Sequence, residues 1–97
     1  MRYEFHPEAL EEYNEAGFYY AGKESGLDLR FIVAVEKAIA AIVADPQRYR
    51  KYDEDVRRCL TRVFPYAIFY TIEAGFILIL AIANFSQEPG YWKHRVP

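Results

Sequence analysis

Two short stretches hold most of the groups that could do chemistry. The first is Arg57-Arg58-Cys59-Leu60-Thr61-Arg62, where three guanidinium groups meet no acid. The second is Tyr91-Trp92-Lys93-His94-Arg95, two aromatic side chains followed by three basic ones. A guanidinium presents a planar fork of N–H donors that matches carboxylates and phosphates. In Arg57, Arg58 and Arg62 that fork serves either an anionic partner or the solvation of an exposed sheet face. Imidazole suits proton transfer near neutrality, which makes His94 a candidate for that role, whereas Tyr91 and Trp92 read as the pins that hold the tail to a sheet. Cys59 has no base arranged beside it and reads as a packed strand residue. His6 stands directly before Pro7 and reads as structural, at a helix start. One cysteine allows neither an internal disulfide nor a four-thiolate zinc site. The two histidines lie at opposite ends without ligand spacing, and no cofactor is implied.

These groups need a scaffold, and 97 residues make one domain, residues 1–97. A chain of this size buries roughly two-thirds of its unfolded surface, enough for one core. Its 53% apolar and 27% charged residues are a globular mix, not a disordered one. The formal charge of −2 argues against a general nucleic-acid binder while leaving room for a local basic patch. Charge is uneven along the chain. Residues 1–44 carry four Lys/Arg against eight Asp/Glu, and residues 45–97 carry eight against six. The start, Met-Arg-Tyr-Glu-Phe-His-Pro, is not a secretory signal. Phe76 to Ala83, the most apolar run, is too short to span a bilayer. The expectation is a cytoplasmic protein with a reduced thiol and no membrane partner.

Residues 2–6 alternate polar and aromatic, as a short strand does. Pro7 suits the first turn of a helix, and Glu8, Glu11 and Glu12 favour the positive end of its dipole. Ala9, Leu10, Tyr13, Ala16, Gly17 and Tyr20 then form one apolar face, which predicts a helix over about residues 8–23. Phe18 and Tyr19 fall off that face and are candidates for a self-association or partner surface. Ser25-Gly26-Leu27-Asp28 resembles a capped helix start. Phe31, Ile32, Val35, Ile39, Ile42 and Val43 continue at helical spacing until Asp45-Pro46. The short link predicts an antiparallel helix pair. Residues 45–56 are unpatterned and read as a loop. Arg57–Val63 is a candidate strand, with Arg58 and Arg62 on one face and Cys59, Thr61 and Val63 on the other. Pro65 fits a strand edge or start. Tyr66–Ile72 and Phe76–Phe85 are strands, the second one interior and covered on one face by the helices. The order β-α-α-β-β-β predicts an α+β domain: two antiparallel N-terminal helices on one face of a small, mostly antiparallel sheet, with a short C-terminal tail.

In order and spacing, Phe5-His6-Pro7 before an acidic helix, Asp45-Pro46 after a second one, Arg57-Arg58, Phe64-Pro65-Tyr66-Ala67-Ile68-Phe69-Tyr70, Ile77 to Ala83 and Pro89-Gly90-Tyr91-Trp92 form a recognisable series. With it the chain resembles the RelE/ParE family of type II toxins, the plasmid stabilisation proteins, over almost its whole length. The resemblance implies a small cytoplasmic toxin bound and neutralised by a cognate antitoxin in a hetero-oligomer, with a homodimer as a further possibility. The family contains two mechanisms. RelE-like members cut messenger RNA on the ribosome, and ParE-like members poison DNA gyrase without being enzymes.

Metal-free RNA cleavage needs a proton acceptor, a proton donor and charge stabilisation at the phosphate. The resemblance places Arg58, Arg62 and Tyr91 as the catalytic candidates of a nuclease, with Lys93 or His94 in support. For target or antitoxin binding it places Arg57, Arg58, Arg62, Tyr91, Trp92, Lys93 and Arg95. Three positions depart from the nuclease pattern: Ala67 and Gln87 stand where such members carry arginine, and Asn84 stands where histidine is common. Each missing cation removes a few kcal/mol of transition-state stabilisation. The expectation is therefore a ParE-like toxin that binds a host protein such as gyrase. The alternatives are a RelE-like ribosome-dependent nuclease and a decayed member acting only as a binding module.

Overall fold

The computed structural model describes residues 1–97. The chain runs β1 (Arg2–Phe5), α1 (Pro7–Lys23), α2 (Leu27–Ala44), β2 (Lys51–Asp53), β3 (Val56–Leu60), β4 (Tyr66–Glu73) and β5 (Phe76–Asn84), and ends in a 3₁₀ turn at Lys93–Arg95. The five strands form one sheet in the order β1-β5-β4-β3-β2. Only the β1–β5 pair is parallel. This is the expected α+β architecture with one strand more, because Lys51–Asp53 lies in the stretch read as loop. That strand is three residues long and its pairing with β3 carries a register shift. Neither length nor alternation marks so short an edge strand in a sequence.

The helix starts differ in how they are capped. His6 caps α1: its Nδ1 accepts the Glu8 N–H at 3.1 Å, which is the structural role expected of it, and Pro7 occupies the first turn. The cap expected at Ser25 does not form. Gly26 takes that place in the left-handed region at φ 82°, and no side chain caps α2. Glycine adopts this geometry without a Cβ penalty. The strand expected over Arg57–Val63 stops at Leu60. Thr61 then turns the chain, its hydroxyl donating to the carbonyls of Phe64 and Tyr66. Val63 sits at φ 72° and is 98% exposed, so it does not share a strand face with Cys59 and Thr61 as expected.

The helices cover one face of the sheet. Cys59, Tyr66, Ile68, Tyr70, Ile77, Ile79 and Ile82 face Phe31, Val35, Ile39 and Ile42 of α2 and Ala9 and Ala16 of α1. Fully buried Phe31 is the hub, with the rings of Tyr13, Tyr20, Phe64 and Tyr66 at centroid distances of 5.0–6.0 Å. Removing a buried phenylalanine of this kind costs about 3–5 kcal/mol. Phe18 and Tyr19 stay outside, as their helical phase predicts, with Phe18 80% exposed. No helix is long and apolar enough to cross a membrane.

Candidate functional site

The second face of the sheet is built from the alternate residues of the same strands. Register places Arg58 beside Phe69 and Ala81, and Leu60 beside Ala67 and Ala83. Alanines where larger side chains would stand leave a floor without walls. The chain after β5 supplies a wall when it folds back along Phe85–Trp92. The result is a groove of 320 Å³ with Ala67, Ala83 and Phe69 beneath it and Asn84, Gln87 and Tyr91 along one side. Trp92 closes its base. It is 1% exposed and lies 4.8 Å from the Phe69 ring, tilted by 32°. Tyr52 of β2 meets both rings edge-on at 5.2 and 6.2 Å. Arg58 rests over the outer part of this stack, 4.8 Å from the Tyr52 ring centre. Among the lining residues the only charges are Arg58 and Glu88.

The basic candidates part company here. Arg58 and Tyr91 line the groove, and Arg62 does not. Arg62 lies in the turn after β3, exposed, because the strand ends before it reaches that position. Arg57 points to the helix side, across from Tyr70. It donates to the carbonyls of Tyr49 at 2.6 Å and Gln47 at 3.3 Å, which ties the segment before β2 to the sheet. Lys93 is exposed and lies 3.4 Å from Asp53.

Arg95 turns inward. Its guanidinium makes a two-pronged contact with Glu12, Nη1 to Oε1 at 2.9 Å and Nη2 to Oε2 at 3.0 Å. The same Nη1 donates to the Leu80 carbonyl at 3.0 Å, and Glu12 Oε1 accepts the Ile82 N–H at 3.0 Å. Pairing of β1 with β5 stops at Phe5 and Ile79. Beyond that point the ion pair occupies the exposed edge of β5 and satisfies its backbone as a strand would. Tyr91 completes the cluster by donating its hydroxyl to Glu12 Oε2 at 2.6 Å. Arg95 Nε lies 2.9 Å from Glu8 Oε2, but its N–H is not aligned with that oxygen, so this contact is electrostatic.

His94 also reaches Glu8, Nε2 to Oε2 at 2.7 Å, while its Nδ1 lies 3.2 Å from the Tyr91 carbonyl. Both neighbours are acceptors, so both contacts are hydrogen bonds only when the ring carries two protons. The His94 hydrogen bond holds Glu8 below the usual carboxylate range. Burial, reinforced by the hydrogen bond to Glu12, pushes the Tyr91 phenol well above its ordinary value. Burial opposes the Arg95 charge, but the Glu12 carboxylate outweighs it and keeps Arg95 firmly protonated. Burial likewise raises the Cys59 thiol, which is 5% exposed and a packed strand residue as expected.

Sequence reasoning missed Glu12 and Tyr52. Glu12 reads as one of three acids in a first turn, and its partner lies 83 residues away. Nothing local marks it. Tyr52 lies in the strand read as loop. No three His, Cys, Asp or Glu side chains come together as a metal site. A second concavity, of 370 Å³, lies on the helices between Leu10, Tyr13 and Phe18 of α1 and Ile32 of α2, where Gly17 leaves open space.

A family model described as the ParE toxin of type II toxin-antitoxin system, parDE, matches residues 3–89. No curated relative matches the chain. Among solved structures, the chromosomal ParDE TA system from P. aeruginosa is similar, with a TM-score of 0.73 at 13% identity, covering 87% of this chain and 95% of that one. At that identity the likeness speaks for the fold alone. The family match spans both helices, β2 to β5 and β1 from its second residue, and it includes Arg58, Ala67, Asn84 and Gln87 of the groove: the chain belongs to the ParE toxin family of type II toxin-antitoxin systems.

Proposed function

We infer that this toxin arrests growth by holding a host protein of the DNA gyrase type in the cytoplasm, without cutting RNA, and that a cognate antitoxin neutralises it. The observation that carries this reading is the make-up of the groove. Ala67, Asn84 and Gln87, the three positions that depart from the nuclease pattern, all line one site, and the single cation left there is Arg58. In-line cleavage at a phosphate needs a proton acceptor, a proton donor and a stabiliser of the added charge. Arg58 can fill the last role only. Tyr91 is poorly placed for the other two, since its proton is committed to Glu12 and its phenol titrates far above neutrality. The apolar concavity between α1 and α2, edged by exposed Phe18, suits an amphipathic antitoxin segment that folds on binding.

Pulse labelling tests the reading. After induction of the chain alone in bacteria, thymidine incorporation falls before methionine incorporation, and primer extension finds no new message ends. Methionine incorporation falling first, with defined cuts in translated messages, overturns it in favour of the nuclease. Normal growth at full expression reduces the chain to a binding module.

A further inference from the structure

The arginines of this protein divide into two sets. Arg2, Arg30 and Arg95 have carboxylate partners. The five without one, Arg48, Arg50, Arg57, Arg58 and Arg62, all fall within residues 48–62. Arg57 is used up on the carbonyls of Gln47 and Tyr49. Its bonds fix the segment that carries Arg48 and Arg50, and the Tyr70 hydroxyl fixes it again by donating to the Pro46 carbonyl at 2.6 Å. Arg48 and Arg50 are thus held on a braced loop. Together with Arg58, and with Lys51 that is itself paired with Asp55 at 3.4 Å, they line an open concavity of 650 Å³ at the β2 edge of the sheet, which no carboxylate lines. Tyr52 and Leu60, both exposed, lie among these cations and also line the groove, so the two hollows are continuous.

The geometry points to this edge as a docking surface for the phosphate backbone of a nucleic acid. Guanidinium forks match phosphate oxygens, and Arg48, Arg50 and Arg58 present theirs around one concavity. The remainder of the molecule favours the same orientation. Residues 1–44 carry a net −4, which repels a polyanion from the helices and turns it towards the basic edge. An acidic peptide adding as a strand fits less well, because β2 offers only three residues and a register shift as a template. The inference concerns binding, is independent of the host protein, and asks nothing catalytic of the groove.

Fluorescence anisotropy on the purified full chain tests it, with end-labelled duplex DNA, single-stranded DNA and single-stranded RNA of equal length as probes. About three phosphate contacts, one each from Arg48, Arg50 and Arg58, predict that affinity for duplex DNA falls about 40-fold between about 50 and 200 mM salt. Arg48→Ala/Arg50→Ala reduces the salt slope by about two, and Arg58→Gln by about one, with circular dichroism unchanged. Lys37→Ala, on exposed α2, leaves binding as it was. The three probes separate DNA from RNA as the source of the phosphate. No binding at low salt, or binding that survives Arg48→Ala/Arg50→Ala with an unchanged slope, overturns the proposal. So does equal competition by polyglutamate of matched charge, which makes the edge an acidic-peptide site instead.

Discussion

Arginine does opposite things at the two ends of this sheet. At the β1–β5 end, Arg95 has a side chain only 7% exposed, pairs with Glu12 through two bonds and caps the Leu80 carbonyl. At the β2–β3 end, Arg48, Arg50 and Arg58 are exposed and have no carboxylate partner. The residue type is the same, and the difference is whether the chain itself supplies the counter-charge. Where it does, the cation becomes part of the fold. Where it does not, the cation stays available to a partner. The largest test of this contrast is Arg95→Ala. Breaking a buried pair leaves Glu12 uncompensated and orphans the Leu80 carbonyl, so the loss is about 3–5 kcal/mol in urea unfolding. Glu12→Ala costs a similar amount, and the double variant costs less than the sum because no lone charge remains. A loss under about 1 kcal/mol for Arg95→Ala erases the distinction between the two ends.

The loop that carries Arg48 and Arg50 is braced by Arg57 and by one buried phenol. Tyr70 is fully buried, and its hydroxyl holds Pro46 at the root of the loop that carries Arg48 and Arg50. Burial pushes its titration up to about 12. The ordinary value is about 10, so the fold favours the neutral phenol. That contribution is complete below about pH 10 and is lost as pH rises towards about 12. Tyr70→Phe removes one neutral hydrogen bond, worth about 1 kcal/mol at neutral pH. It also flattens the decline of unfolding free energy between about pH 10 and 12 relative to the parent chain. Parallel declines in the two proteins would mean that the fold does not favour the neutral Tyr70 phenol.

How much of this could be read in the sequence follows the same division. Helical and strand periodicity is a property of neighbours, so α1, α2, β4 and β5 were legible from residues such as Phe31, Val35 and Tyr66. His6 before Pro7 was legible as a helix start for the same reason. The Gly26 start of α2 was not, because Ser25 offers a cap by type while the backbone decides by geometry. β2 is too short to show a period. Ala67, Asn84 and Gln87 stood out one by one against the family pattern, yet only the register of β3, β4 and β5 brings them to one groove with Arg58. The Glu12–Arg95 pair was illegible for a plainer reason. Two opposite charges 83 residues apart carry no signal until the sheet edge they satisfy has been built.

The smallest effect is the most telling for the free end. Arg58→Gln removes one cation–π contact with Tyr52, worth about 0.5 kcal/mol at an exposed site. It also relieves repulsion from Arg48, Arg50 and Lys51, which line the same concavity. The two terms oppose each other, so unfolding free energy changes by no more than about 0.5 kcal/mol, in either direction. Raising the salt concentration screens the repulsion and moves the balance towards net destabilisation, because the stacking contact is the less salt-sensitive of the two. A loss above about 2 kcal/mol would make Arg58 a structural residue like Arg95. The groove would then hold no free cation, and its charge would belong to the fold and not to a partner.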